Sequence, residues 1–319
     1  MHRYTKRTLA AVASIAATAL TLTACSTDAG QSSAQDDATA TVMATTTQLG
    51  SIAEQITDCA GGQTTTLMSA SDDPHQFEAS SADIIDMISA DLVIANGLEL
   101  EASLQGSLEN AKADGAEIME VAPQLDPIPM DAHDHEEHAG HDHEHGAYDA
   151  HIWMDVSRMA DGAELIGEKI AEVAGDEQYV TCGVEVAEEL RATDAEIEEL
   201  LSEVDSARLV THHAAYGYFA DRYGIDISGV VIPGGSTDGE PSSQDLTELT
   251  ALLDDQGADA LVTSKANTNR MITALAEETD QDLPVVELYE SAIGEPGTDV
   301  ATYQDAMLYN AKALVEALN

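Results

Sequence analysis

The chain has 319 residues, 60 of them Asp or Glu and only 12 Lys or Arg, for a formal net charge of -48. That balance excludes a nucleic-acid partner, because phosphate contacts need the opposite sign. Anionic lipid headgroups would also repel this surface. Acidic side chains spread along helices make a solvated face, so the charge alone does not point to a metal.

In chain order, Arg3, Lys6 and Arg7 precede an uncharged stretch over 8–24, and residues 1–24 read as a secretion signal. Leu22-Thr23-Ala24-Cys25 forms a lipoprotein cleavage box. The expected mature chain therefore starts at a lipidated Cys25 and is anchored to the outer side of the cell membrane. Several acyl chains hold far more firmly than one. Residues 25–40 lack bulky apolar groups and are expected to be a flexible tether. The remainder is long enough for two domains with ordinary cores. Cys59 and Cys182 are not spaced as a zinc knuckle, and a pair of thiols outside the cytoplasm tends to oxidise, so a Cys59–Cys182 disulfide is expected.

Beyond the tether, strands are expected over 42–46, 64–68, 92–95 and 117–121, with helices over 49–57, 80–89 and 101–113. This alternation predicts an α/β fold with parallel sheets. Residues 123–150 carry three prolines and a His/Asp/Glu run and read as a loop. From 156 to 204 the pattern is helical, broken at Gly175-Asp176. Its second part is long and acidic, with Val184, Ala187, Leu190, Asp194, Ile197 and Leu201 recurring at helical spacing, and can run between two domains. Alternation then resumes, with strands over 208–211, 227–232, 260–263 and 285–288 and helices over 214–223, 246–256, 269–278 and 303–318. Ala90-Asp91-Leu92-Val93-Ile94 and Ala258-Asp259-Ala260-Leu261-Val262 fall at equivalent third strands, suggesting a loose internal repeat. The expected domains are 41–178, with a His-rich loop over 131–146, and 206–319, joined by a linking helix over 179–205.

The candidate ligands follow from this topology. His75 follows the second strand, His212 and His213 follow the first strand of the second half, and Glu290 follows its fourth. His151 stands beside Trp153 and Asp155 after the loop. In open parallel sheets ligands bind outside the carboxyl ends of the strands. Neutral imidazoles with one carboxylate make a borderline donor set suited to zinc.

At these positions the sequence resembles the solute-binding proteins of zinc and manganese ABC importers, over nearly everything after the tether. Asp73-Pro74-His75-Gln76-Phe77-Glu78 looks like the segment of the first histidine ligand, and Asn96-Gly97-Leu98-Glu99-Leu100-Glu101 like the family's Asn-Gly turn. Ala150-His151-Ile152-Trp153-Met154-Asp155 resembles the Pro-His-Ile-Trp-Met-Asp motif, with Ala150 in place of the usual proline. His213-Ala214-Ala215-Tyr216-Gly217-Tyr218-Phe219 resembles the third ligand motif and selects His213 over His212. Tyr289-Glu290-Ser291, followed by Thr302-Tyr303, resembles the last motif, with Glu290 where aspartate is usual.

The resemblance implies two (βα)4 domains with four-stranded parallel sheets joined by one long helix, and a metal held between them by His75, His151, His213 and Glu290. Manganese members often carry glutamate at the third ligand; His213 moves the expectation toward Zn2+ over Mn2+. His133, His135, His138, His141, His143 and His145 resemble the His-rich loop of zinc-specific members and are expected to gather metal transiently. The expected function is metal capture by a monomer that hands its ion to a permease and its ATPase. Alternatives are manganese delivery on the same architecture, or a surface adhesin or zinc buffer. An enzyme is not expected. His141-Asp142-His143-Glu144-His145 fits a zinc-peptidase pattern, but Gly140 and Gly146 flank it and it has no apolar face to hold a rigid helix.

Overall fold

The computed structural model describes residues 39–130, 147–204, 206–232, 234–237, 239, 242–266, 270–278 and 283–319. The signal segment, Cys25, nearly all of the tether and the six histidines of the His-rich run lie outside the described residues. Among the described residues, no helix is long and apolar enough to cross a membrane.

The first half comprises β1 (Thr41–Ala44), α1 (Thr47–Ala60), β2 (Gln63–Thr66), α2 (Ser81–Ser89), β3 (Leu92–Ala95), α3 (Gln105–Ala113) and β4 (Ile118–Glu120). Two long helices follow, α4 (Val156–Ala174) and α5 (Gln178–Leu201). The second half comprises β5 (Arg208–His213), α6 (Gly217–Tyr223), β6 (Asp226–Ile232), α7 (Ser243–Gln256), β7 (Ala260–Ser264), α8 (Arg270–Glu278), β8 (Val285–Leu288) and α9 (Tyr303–Leu318). The strands form two parallel four-stranded sheets, in the orders β2-β1-β3-β4 and β6-β5-β7-β8. The fold is thus two α/β domains, each built on one such sheet.

Local chemistry sets these elements. Every residue of β3 and of β7 is buried, as expected of central parallel strands covered on both faces. Thr46 caps α1 through a hydrogen bond from Leu49 N, and Gly61 ends it in the left-handed region. Ser80 and Asp83 form a capping box on α2; Ser242 and Asp245 repeat it on α7. The two Ala-Asp repeats have matching structural roles. Asp91 accepts the backbone N–H of Thr41 at 2.8 Å, and Asp259 that of Arg208 at 2.8 Å. Each carboxylate therefore ties the start of the third strand of its half to the first residue of the first.

Helix α5 packs against α4, α1 and α9, and so touches both halves. Its crossing with α4 is tight. A Cβ on Gly167 would lie 2.9 Å from Gly183 Cα and 2.7 Å from Tyr179 O, so a side chain there would force the helices apart. Cys59 of α1 and Cys182 of α5 are joined by a disulfide, with their Cα atoms 5.9 Å apart. The expected inward row on α5 needs one correction: Val184 is 39% exposed. The buried stripe runs instead through Tyr179, Cys182, Gly183, Val186, Ala187, Leu190, Asp194, Ile197 and Leu201. Asp194 is buried because it is paired. It accepts from Arg222 Nε at 3.1 Å and Nη2 at 2.5 Å, and from Tyr223 OH at 2.9 Å, which fastens α5 to α6.

Other boundaries shift for visible reasons. Strand β5 carries a register irregularity between Leu209 and Val210 and continues to His213, so His212 and His213 end the strand instead of following it. The helix expected from 214 starts only at Gly217, because residues 214–216 turn the chain, with Ala215 N bonded to His213 O at 2.9 Å. The helix expected over 101–113 divides into a 3-10 turn, Ala102–Leu104, and α3. Glu101 points inward there to accept from Thr45 Oγ1, Asn96 N and Gly97 N at 2.7, 2.8 and 3.1 Å.

Candidate metal centre

The carboxyl ends of both sheets meet around three imidazoles. Each arrives by a different route. His75 lies in the loop between β2 and α2, His151 just before the 3-10 turn Ile152–Met154, and His213 at the last position of β5. His75, His151 and His213 are 6%, 0% and 1% exposed. His75 Nε2 and His151 Nε2 are 3.3 Å apart, as are His151 Nε2 and His213 Nε2. One ligand atom from each of the three lies within 4.8 Å of the other two. Glu290, two residues past β8 and 2% exposed, places Oε1 3.6 Å from His213 Nε2. The four residues named from the sequence are thus brought together.

His212, the residue before His213, keeps its ring 5.4 Å from that of His213, edge to face. Its Nε2 is buried and, among the described residues, has no hydrogen-bond partner, and burial lowers its pKa. It is not one of the three converging histidines.

The scaffold around the imidazoles is polar and specific. Asp149 Oδ1 accepts from the backbone N of His151 at 2.9 Å and pairs with its Nδ1 at 2.8 Å. Asp73 Oδ1 accepts from the backbone N of His75 at 3.0 Å. The same Asp-x-His turn therefore presents both first-half histidines. That repeated spacing is the signal by which Asp73 and Asp149 can be found in the sequence. The Asn-Gly turn gains a clear role as well. Asn96 Nδ2 donates to Ala150 O at 2.9 Å, so the turn holds the residue next to His151. Gly97 has φ +83°, and a Cβ on it would meet Glu120 Cβ at 3.0 Å; both demand glycine.

Electrostatics divide the three histidines. Burial, with the nearby His151, lowers the pKa of His75 to about 3. Burial and the other histidines hold His213 well below its ordinary value. Burial also pushes His151 down, but the hydrogen bond and charge of Asp149, with Glu290 and Asp73, outweigh it and the net shift is upward. Glu290 is raised by burial, against the opposing influence of His151 and Ser291. Two imidazoles are thereby kept neutral, with lone pairs free to bind a cation.

The second half is stitched to the first at this centre. Glu290 O accepts from Trp153 Nε1 at 2.8 Å and from Gln48 Nε2 at 3.0 Å. Tyr303 OH donates to Trp153 O at 2.5 Å, Ile293 N to Thr47 Oγ1 at 3.0 Å, and Tyr303 N to Ser51 Oγ at 3.0 Å. Thr237 Oγ1 donates to Asp73 Oδ2 at 2.8 Å on the other side of the histidines.

Comparison with known proteins agrees with this architecture. The profile of the family described as zinc-uptake complex component A, periplasmic, matches residues 42–317. The manganese-binding lipoprotein MntA of Bacillus subtilis is 29% identical over 310 residues, covering 93% of this chain and 95% of its own length. The zinc-binding protein TroA of Treponema pallidum is 26% identical over 282 residues, covering 85% of this chain and 87% of its own length. Among solved structures, the periplasmic zinc-binding protein TroA from Treponema pallidum superposes with a TM-score of 0.74 at 23% identity, over 88% of this chain and 99% of that one. A manganese-bound periplasmic metal-binding protein from Candidatus Liberibacter asiaticus gives 0.73 at 21% identity, over 88% and 100%. At those identities the structures speak for the fold alone.

Proposed function

This chain belongs to the family of the periplasmic component A of zinc-uptake complexes, and from that premise we propose that it captures one Zn2+ through His75, His151, His213 and Glu290 and delivers it to an ABC importer. The observation that carries the zinc reading is the donor set, three imidazole nitrogens and one carboxylate brought together, with a spacing that a tetrahedral ion fits. Bonds of about 2.0–2.1 Å from one tetrahedral zinc place its nitrogen ligands about 3.3–3.4 Å apart, since a tetrahedron's edge is about 1.63 times its centre-to-vertex distance. Both Nε2 separations from His151 are 3.3 Å. Three nitrogens and one carboxylate oxygen match zinc's borderline character, whereas manganese favours oxygen-rich, octahedral sites.

The function is binding, not catalysis. Four protein ligands leave no open position for an activated water. The ion is the cargo, and the partners in this reading are a membrane permease with its ATPase. Cys25, lipidated, would keep the monomer at the outer face of the membrane. The histidines of the 131–146 run would collect metal beside the main site. Pro129 and Tyr148, which flank that stretch in the sequence, form a β-bridge one residue before Asp149.

Manganese delivery stays as the second reading, favoured by the name of the Bacillus subtilis relative. Competition titrations of zinc and manganese against one chelator separate the two. Zinc bound at one ion per chain, and tighter than manganese, supports the first; manganese held as tightly as zinc supports the second.

A further inference from the structure

The two oxygens of Glu290 are treated differently. Oε1 faces His213 Nε2 at 3.6 Å. Oε2 accepts a hydrogen bond from Ser291 Oγ at 2.8 Å. Ser291 Oγ in turn lies 3.2 Å from Ser264 Oγ, at the end of β7. A hydroxyl has one proton to give. Ser291 gives its proton to the carboxylate, so Ser264 is the donor in the pair of hydroxyls, and the chain runs Ser264 to Ser291 to Glu290. Glu290, Ser291 and Ser264 are 2%, 5% and 5% exposed, so water does not readily replace these bonds. The main chain of Glu290 is fixed as well, because its carbonyl oxygen is clamped by Trp153 and Gln48 from the first half. The side chain therefore has little freedom to turn its second oxygen toward the imidazoles.

We propose that Ser291, backed by Ser264, is a specificity-determining residue that locks Glu290 into offering a single oxygen to the metal. This rests on the reading of His75, His151, His213 and Glu290 as the cargo site. With Oε2 tied to Ser291, the protein supplies three nitrogens and one oxygen and closes the site at four ligands. That number satisfies zinc. Manganese gains from each added oxygen ligand, and a carboxylate chelating through both oxygens would supply a fifth. The serine pair withholds that fifth ligand. It acts through Glu290 without touching the ion, in the manner of the outer hydrogen-bond partners that orient metal-binding side chains. Glutamate needs such a lock because its extra methylene lets the carboxylate swing into a chelating pose.

The test uses the full chain in detergent, as wild type, Ser291→Ala, Ser291→Thr, Ser264→Ala and His213→Ala. Zinc and manganese affinities are measured by competition, and the Co2+-loaded forms by visible absorption, whose intensity separates four-coordinate from higher-coordinate cobalt. The expected result is a ratio of zinc to manganese affinity that falls by roughly tenfold in Ser291→Ala. Its cobalt bands weaken, while Ser291→Thr, which keeps the hydroxyl, retains the wild-type ratio and spectrum. Ser264→Ala moves both readouts the same way to a smaller extent, and it decides the matter if Ser291→Ala does not fold. A wild-type ratio and spectrum in the folded alanine variants, with zinc lost in His213→Ala, overturns the lock and leaves the site standing. Zinc that survives His213→Ala overturns the site, and the lock with it.

Discussion

Asp149 holds His151 twice through one oxygen, its Oδ1 accepting from the backbone N at 2.9 Å and pairing with ring Nδ1 at 2.8 Å. With the proton on Nδ1, the lone pair sits on Nε2, which faces both other histidines. The other Asp149 oxygen rests against Gly217, where an added Cβ would come within 2.5 Å. Asp149→Ala should weaken zinc binding by about 10–100-fold, the usual effect of removing an outer partner of a ligating histidine. Gly217→Ala should weaken it in the same direction by displacing the carboxylate, although it changes no ligand. Competition titration checks both; unchanged affinity in Asp149→Ala would mean that His151 needs no orienting partner.

The pKa shifts give the pH dependence. His75, lowered to about 3, and His213, held well below its ordinary value, are neutral imidazoles near pH 7 and carry no extra proton for the metal to displace. His151 and Glu290 are both raised, so each takes up a competing proton at a higher pH than an ordinary histidine or glutamate does. Affinity should therefore rise with pH through the raised value of His151 and level off above it. Each displaced proton contributes about tenfold per pH unit. The expected slope is one to two protons. Three ordinary histidines, titrating together near 6.5, would give a slope approaching three, and that result would contradict the assignment.

Trp153 is the single tryptophan of the chain, is 2% exposed, and packs its ring at a 60° tilt, 5.2 Å from that of His151. Its emission should change on zinc addition and saturate at one equivalent. Trp153→Phe removes the donor to Glu290 O and should cost about 1 kcal/mol of stability through that hydrogen bond, beyond any packing change. Emission insensitive to zinc would place the ion away from His151.

The bonds from Gln48, Trp153, Thr47 and Ser51 to the segment 290–303 make the two halves one frame at the site. Helix α5 adds a second brace through the Asp194–Arg222 pair. Metal should then order side chains and loops without wide closure. Small-angle scattering of metal-free and zinc-loaded protein is expected to give nearly the same radius of gyration; a large compaction would contradict this.

Much of the fold is legible in the sequence because buried parallel strands read as unbroken apolar runs. The expected bounds of β3, β8 and α9 coincide with those observed. The four candidate ligands are legible for a related reason, since the ends of parallel strands all open toward one cleft. Gly217, Ser291 and Gln48 are not legible in the same way. Their roles depend on which elements pack together: Gly217 matters because α6 abuts Asp149, and Gln48 because α1 meets the turn after β8. Val184 misleads for the opposite reason. It continues an apolar spacing, yet the neighbours of α5 cover a stripe that leaves it outside.

The measurement that tests the central claim most directly is zinc stoichiometry and affinity in wild type, His213→Ala and a deletion of residues 131–145. The account predicts one tight zinc per chain that survives the deletion and is lost in His213→Ala. Loss of all tight zinc on deletion alone, with His213→Ala still binding, would place the site in the wrong part of the chain.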